Sequence, residues 1–403
     1  MSIIEADRPA VPTFRSTSRP GTTPTTAADA TDWGAVAADV AARIAPAAAR
    51  HDADGTFVHE SFDVACDAGL GSALVPTEFG GGGASLVEAG TILTELAKGC
   101  PATAVTLSMH YHLVAAQVWR QNSGQSAEAV LRKVADGAIL ISTGAADWID
   151  SRGRATKVDG GFRVSARKTP SSGARAGTVL VTSIPWADGD ADHPGPQVLH
   201  CAIPFASEGV TIEETWDSMG LRGTGSDTVV YDDVFVPDAA VSLIRPSGAW
   251  HPIWSAALGV AMPLIMSAYR GIAESAAEMA IESARQRGDD PVVATLVGEM
   301  TNRRLACADT VDAMLAASDG LRYAPTLDHT ARVLARKTTA AEAAIDTVRL
   351  ALEICGGSAY GRRGGVERLL RDVHGALFHP LPAGRQKPFT GRHLLGLDPV
   401  AAS

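Results

Sequence analysis

Met219-Gly220-Leu221-Arg222-Gly223-Thr224-Gly225-Ser226-Asp227-Thr228 runs on through Val229-Val230-Tyr231 into Asp232-Asp233-Val234-Phe235-Val236-Pro237. Three glycines in its first half mark a tight turn, and its second half alternates apolar and polar residues over Thr228–Val236. Similar short stretches precede it: Phe162–Ser165, Thr178–Ser183, Val198–Pro204 and Val210–Glu213, each bounded by Gly, Pro or Asp. With Asp159-Gly160-Gly161 as a hairpin turn, this region predicts an antiparallel β-domain. On both sides the period changes. Trp33–Ala49, Val58–Gly69, Leu86–Lys98, Ala102–Gln121 and Ala127–Ala135 carry apolar residues at helical spacing, as do Ala256–Gln286, Pro291–Ser318, Thr330–Cys355 and Val366–Leu377. Helices, then strands, then long helices predict an α+β fold, because a doubly wound sheet would alternate its elements.

The expected organisation is a disordered lead-in over 1–31, helical and strand domains over 32–137 and 138–245, a four-helix-type domain over 246–395 and a tail over 396–403. The lead-in holds Pro9, Pro12, Pro20 and Pro24 among Thr, Ser and Ala, with no hydrophobic period. A net charge of -10 argues against a nucleic-acid partner, since no basic stripe neutralises many phosphates. No apolar run is read as a membrane span. The five scattered cysteines lack CxxC spacing, which predicts reduced thiols, a cytoplasmic location and no metal site.

Four segments resemble the acyl-CoA dehydrogenase superfamily. Val75-Pro76-Thr77-Glu78-Phe79-Gly80-Gly81 is similar to its P-E-x-G-G turn, and Lys168-Thr169-Pro170-Ser171-Ser172-Gly173-Ala174 to its K-x-F-I-T-N-G-A strand. The 219–237 stretch is similar to G-x-R-x-S-x-T followed by D-D-V-x-V-P. Cys355-Gly356-Gly357-Ser358-Ala359-Tyr360 with Val366-Glu367-Arg368-Leu369-Leu370-Arg371-Asp372 is similar to G-G-x-G-Y and E-R-x-x-R-D. The resemblance covers roughly residues 35–395. It implies an N-terminal helical domain, a central antiparallel β-domain and a C-terminal helical bundle, in a homotetramer that binds FAD, with FMN as the alternative. A flavin ring needs a flat apolar slot with a few donors at its polar edge. Thr143, Ser171 and Ser172 are the candidates for that edge, or ordinary turn hydroxyls. Gly356 and Gly357 permit close approach of a diphosphate, or simply cap a helix. Arg222 is assigned to holding the turn.

The resemblance implies α,β-oxidation of an acyl thioester, in which a glutamate removes the α-proton. Counting eight residues beyond Asp372, that position is Pro380, in Phe378-His379-Pro380-Leu381-Pro382. The base that some members carry on the first long C-terminal helix aligns near Ala261. Thr143-Gly144-Ala145-Ala146-Asp147-Trp148-Ile149-Asp150 replaces the T-E-P-x-x-G-S-D loop, Arg285–Pro291 is a reduced R-x-Q-F-G motif, and Glu353 stands where glutamine is usual.

These departures resemble the reduced-flavin monooxygenases of the same fold, which carry a histidine about where His379 lies. His379 is therefore the leading catalytic candidate, protonated or hydrogen-bonding beside the flavin, against the alternative of a helix-terminal cap ahead of Pro380. Asp147 and Asp150 are weaker candidates for a relocated base. His110 and His112 sit on a helix that lines the family's substrate pocket, and their spacing lets at most one face inward. His251 is placed at the pocket mouth or in a plain loop. Three functions follow: thioester oxidation with a redox-partner flavoprotein, O2-dependent hydroxylation with a separate flavin reductase, or a non-catalytic subunit. The expected substrate is a small molecule. A homo-oligomer is expected because Ala256–Ala280 has a wide apolar face.

Overall fold

The computed structural model describes residues 31–143, 147 and 149–400; residues 1–30 and 401–403, where most of the expected lead-in and part of the tail fall, lie outside it. Helix α1 (Trp33–Asp54) begins at Asp32, whose carboxylate accepts from Ala35 N at 3.0 Å, and ends at Gly55 in the left-handed region. Helix α2 (His59–Asp67) follows. Next, Pro76 opens a short 3-10 turn that closes at Gly80. Helix α3 (Leu86–Gly99) carries a reciprocal Ser85/Glu88 capping box, α4 (Pro101–Asn122) starts on proline, and α5 (Glu128–Ala135) completes the first helical set.

The strands form two sheets. One has the order β1 (Leu140–Ser142), β4 (Val179–Trp186), β5 (Gln197–Pro204), β8 (Val241–Pro246). The other has the order β2 (Arg154–Val158), β3 (Gly161–Ser171), β7 (Asp227–Pro237), β6 (Val210–Glu213). Asp159-Gly160 turns the β2–β3 hairpin, with Val158 opposite Gly161. The sheets meet through buried Trp186 and Phe162, edge to face at 5.1 Å. The pairing is antiparallel as expected for the central domain, except that the short β1 runs parallel to β4. Strands β1, β2 and β8 escaped the sequence reading because three to six residues with no clean alternation carry little periodic signal.

The third part is built on α6 (Pro252–Arg285), α7 (Pro291–Ser318) and α8 (Leu327–Cys355), capped by His251, Asp290 and Thr326. Two further helices return over it: α9 (Val366–Val373) and α10 (Ala383–Leu394). Helix α10 was hidden by Gly384, Pro388 and Gly391. Helix α6 is long and apolar enough to cross a membrane by length and composition alone, which the sequence reading did not anticipate, but most of its apolar stretch is buried inside the protein. It packs against α3, α4, α7 and α8. Its wide apolar face is therefore satisfied within one chain and calls for no second copy, which removes the physical ground first given for an oligomer.

The 219–237 stretch is the junction of all three parts. The Leu221 amide donates to the Asp372 carboxylate at 2.5 Å, and Arg371 donates to the Met219 carbonyl at 3.0 Å. Arg371 also grips Asp52 at the end of α1 with two bonds of 2.8 and 2.6 Å. Arg222 donates to the Asp52 carbonyl at 2.7 Å and to Ser218 and Asp217. Residue 220 must be glycine here, because a Cβ would lie 2.2 Å from the Arg371 carbonyl oxygen.

Candidate active site

One cavity of about 760 Å³ opens between these parts. Helix α4 contributes a stripe at Val105, Met109, His112, Ala116 and Arg120, spaced three to four residues apart so that they share one face. Helix α6 contributes Trp254, Ala257, Ala261, Ile265 and Tyr269 by the same rule. The ends of β1 and β3, the middle of β4, the turn at 216–226 and the segment 374–380 close the remaining sides. Trp216 is fixed in this wall: its indole N–H donates to Leu221 O at 3.1 Å, and its amide donates to the buried Asp227 carboxylate at 3.0 Å.

His379 lines the cavity, with Nε2 2.7 Å from the Tyr269 hydroxyl and the two rings edge to face at 5.3 Å. It follows a 3-10 turn at His374–Leu377 rather than ending an α-helix, and among the described residues its side chain bonds Tyr269 and no carbonyl. Burial, with Lys337 and His112 nearby, pushes its pKa down to about 3, so the ring is neutral at ordinary pH. This corrects the protonated alternative. Tyr269 stays a phenol, its pKa raised well above the usual value by burial. The contact is thus a neutral hydrogen bond. Behind it, buried Lys337 donates to the His379 carbonyl at 2.9 Å, with burial lowering its own pKa to about 8.

His112 faces the same cavity and His110 does not. Fully buried His110 donates from Nε2 to Gly71 O at 2.9 Å and accepts from the Leu140 amide on Nδ1 at 3.0 Å. Both ring nitrogens are spent, and burial lowers its pKa to about 4. Its expected pocket role is therefore corrected to a structural one. Because the folded protein resists protonating a group that titrates near 6.5 when unfolded, the unfolded state binds more protons as pH falls below 6.5. Stability should drop with falling pH from about 6.5 to about 4, by about 2 kcal/mol at pH 5 from His110 alone. Urea midpoints between pH 7 and 5 test this, and His110→Asn should flatten the slope.

His251 borders the cavity and also caps α6, accepting from Ile253 N at 3.2 Å. His200, absent from the sequence reading, lines it too; burial and adjacent Arg245 bring its pKa down to about 3.

Asp150 does not face the cavity: it is exposed and accepts from Ser247 Oγ at 2.7 Å and Gly248 N at 3.1 Å. Asp147 is buried against Lys168 at 2.5 Å, with Ser151 Oγ and the Ser183 carbonyl completing the ammonium's shell at 2.8 and 2.7 Å. Neither serves as a relocated base. Among the described residues, no Asp or Glu lines the cavity. No group of three or more His, Cys, Asp or Glu among them is placed to hold a metal.

Thr143 and Ser172 reach the cavity; Ser171 does not. Ser171 is buried and donates to Lys168 O at 3.2 Å, since neighbouring strand residues point to opposite faces. The hydroxyl row has a direction. Thr224 donates to Leu221 O at 2.9 Å, so Ser226, 2.7 Å away, donates to Thr224, and Ser172, 2.8 Å from Ser226, donates to Ser226. Ser172 thereby presents lone pairs to an N–H group, and Thr143, bonded to Thr182 at 2.6 Å, extends the polar edge. A flat heterocycle with alternating donors and acceptors fits this edge, with Met109, Leu221 and Trp216 as apolar surroundings. The volume lies within the roughly 300–1,000 Å³ typical of small-molecule sites.

Gly356 and Gly357 lie elsewhere, at the end of α8, where Gly356 forms the C-cap and the Arg287 guanidinium lies 2.9 Å from the position a Cβ would take. Within one chain they are not brought to the Thr143–Ser172 edge. Tyr269, Lys337 and the Asp147–Lys168 pair were not singled out as a site from sequence; a lone tyrosine in apolar α6 was the available signal for the first.

The acyl-CoA dehydrogenase N-terminal domain profile matches residues 34–138, and the C-terminal domain profile matches residues 257–381. An L-evernosamine nitrososynthase from Micromonospora is 30% identical over 388 residues, covering 90% of this chain and 89% of its own. A cyclohex-1-ene-1-carbonyl-CoA dehydrogenase from Syntrophus aciditrophicus is 25% identical, covering 87% and 86%. Among solved structures, KijD3 in complex with FMN and a dTDP-linked amino sugar superposes with a TM-score of 0.81 at 27% identity, covering 92% of this chain and 96% of that one. Fold, domain matches and near full-length relatives agree: the chain belongs to the acyl-CoA dehydrogenase family.

Proposed function

We propose that this chain is an O2-dependent flavin oxygenase acting on a small molecule, the second of the functions expected from sequence, rather than a thioester dehydrogenase. The observation that carries the reading is the cavity wall: no carboxylate stands in it among the described residues, and Pro380, expected from sequence at the usual glutamate position, lines it. Removing an α-proton from a thioester calls for a base near the pKa of that carbon acid. Histidines held at about 3 and about 4 are poor bases for it. As neutral rings they are suited instead to holding a hydrogen bond to a polar oxygen in a low-dielectric site.

Bound flavin, reduced by a separate flavin reductase, would supply the reaction with dioxygen. We infer FMN rather than FAD, because KijD3 carries FMN. Ser172 and Thr143 would hold the polar edge of the ring, Trp216 and Met109 would keep water off it, and His379 with Tyr269 would hold a proton at the reacting side. Assembly into a homotetramer belongs to the same reading, supported by exposed Leu394, Leu395 and Tyr360. So does a cytoplasmic location, supported by five unpaired cysteines.

The test uses full-length protein with FMN, a flavin reductase and NADH, following oxygen uptake and the decay of reduced flavin after an aerobic jump. The expected result is protein-dependent slowing of reduced-flavin decay. Anaerobic bleaching of oxidised bound flavin by an acyl thioester such as butyryl-CoA would overturn the reading in favour of a dehydrogenase.

A further inference from the structure

The α4 stripe that begins beside the hydroxyl row passes His112 and ends at Arg120. Eight residues at 1.5 Å each set Arg120 about 12 Å beyond His112 along the helix axis. Helix α6 runs along the same cavity from Tyr269, beside His379, to Trp254. The far ends of the two helices are tied through one residue. The Trp119 indole donates to the Tyr323 carbonyl at 3.0 Å, and the Tyr323 hydroxyl donates to the Ala256 carbonyl. His112 and His379 thus mark one region of an elongated cavity, and Arg120 stands in another.

Among the described residues Arg120 forms no ion pair. Its Nε and Nη1 reach only the amide oxygens of Gln125 and Gln117, at 3.4 and 3.3 Å. Arg371, the other guanidinium on the cavity, is already neutralised by Asp52 and Glu367 at 2.6 and 2.8 Å. The Gln117 and Gln125 oxygens are turned toward Arg120, which leaves their amide N–H groups for another acceptor. A partly desolvated guanidinium beside two amides and no carboxylate gains most from an incoming anion with paired oxygens.

We propose that Arg120, Gln117 and Gln125 form an anion subsite, and that the substrate is an elongated, apolar-bodied molecule carrying a carboxylate or phosphate about 12 Å from its reacting atom. This rests on reading the cavity as the substrate site. The apolar stretch between is lined by Leu113, Ala116 and Ala257.

The experiment is calorimetric titration of FMN-supplemented, full-length protein with four probes that share one tail: octanoate, octyl phosphate, octanol and octylamine. Wild type should bind the better of the two anions about tenfold or more tightly than octanol, with octylamine weakest, as a charge-assisted pair implies. The order of octanoate and octyl phosphate identifies the anion. Arg120→Gln should erase the gap between anion and alcohol, and Arg120→Glu should favour octylamine. Equal binding of octanol and both anions by wild type overturns the proposal, as does a gap that survives in Arg120→Gln. Circular dichroism confirms that each variant is folded. The probes are read without turnover, so failure to consume oxygen would sink the preceding reading while leaving this comparison intact.

Discussion

His379→Ala lowers turnover by roughly 10²–10⁴-fold, the usual scale for losing a positioned acid–base group, while flavin content stays near wild type. The histidine touches the cavity, and its only side-chain hydrogen bond among the described residues is to Tyr269. Steady-state rates and flavin absorbance on the same preparation read the two effects separately. A merely structural histidine would instead cost about 1–2 kcal/mol of stability, from the stranded Tyr269 hydroxyl, with little change in rate. Pro380→Glu is the companion. It puts a carboxylate at the position where the sequence resemblance predicts the family's glutamate, and gain of thioester-dependent bleaching would show a dehydrogenase pocket that lacks only its base. No gain, together with full activity in His379→Ala, would remove both catalytic readings of this segment.

Asp147→Ala should destabilise the protein by about 3–5 kcal/mol, the cost of stranding a buried charge. Lys168 is about 1% exposed, and its ammonium would keep only Ser151 Oγ and the Ser183 carbonyl. Urea unfolding followed by circular dichroism measures the loss. The double change Asp147→Leu with Lys168→Met should recover much of it, because neither charge then remains buried. An unchanged midpoint in Asp147→Ala would mean that the pair does not contribute to the stability of the fold. Burial alone pulls the Lys168 pKa down and Asp147 holds it up, so the single variant should also make that amine easier to deprotonate.

The order of helices and strands was legible because long amphipathic elements advertise their period, and the 219–237 stretch carried both a turn and a strand. The site was legible only in part. That at most one of His110 and His112 faces the cavity follows from helical spacing, but which one depends on where Gly71 and the Leu140 amide lie. Ser171 and Ser172 could not be separated without knowing which face of β3 is buried. The direction of the hydroxyl row depends on the Leu221 carbonyl, distant in sequence from Ser172. Asp147 read as a weak catalytic acid because nothing in its neighbours reveals Lys168, which strand β3 delivers from 21 residues away. Arg120 passed unnoticed for a related reason: what distinguishes it is that no counter-ion pairs with it among the described residues, and a linear sequence does not show what a side chain lacks.

The cavity draws its walls from α4, from the turn before β7, from α6 and from the segment 374–380, so stretches nearly 280 residues apart must meet before it exists. Such a site is distributed along almost the whole polypeptide, and closing its long loops comes late for entropic reasons. An N-terminal or C-terminal fragment would inherit secondary structure but no complete binding cleft. Ligand capture then serves as a reporter of finished folding: a cofactor's fluorescence should change only after the last helices have docked onto the first.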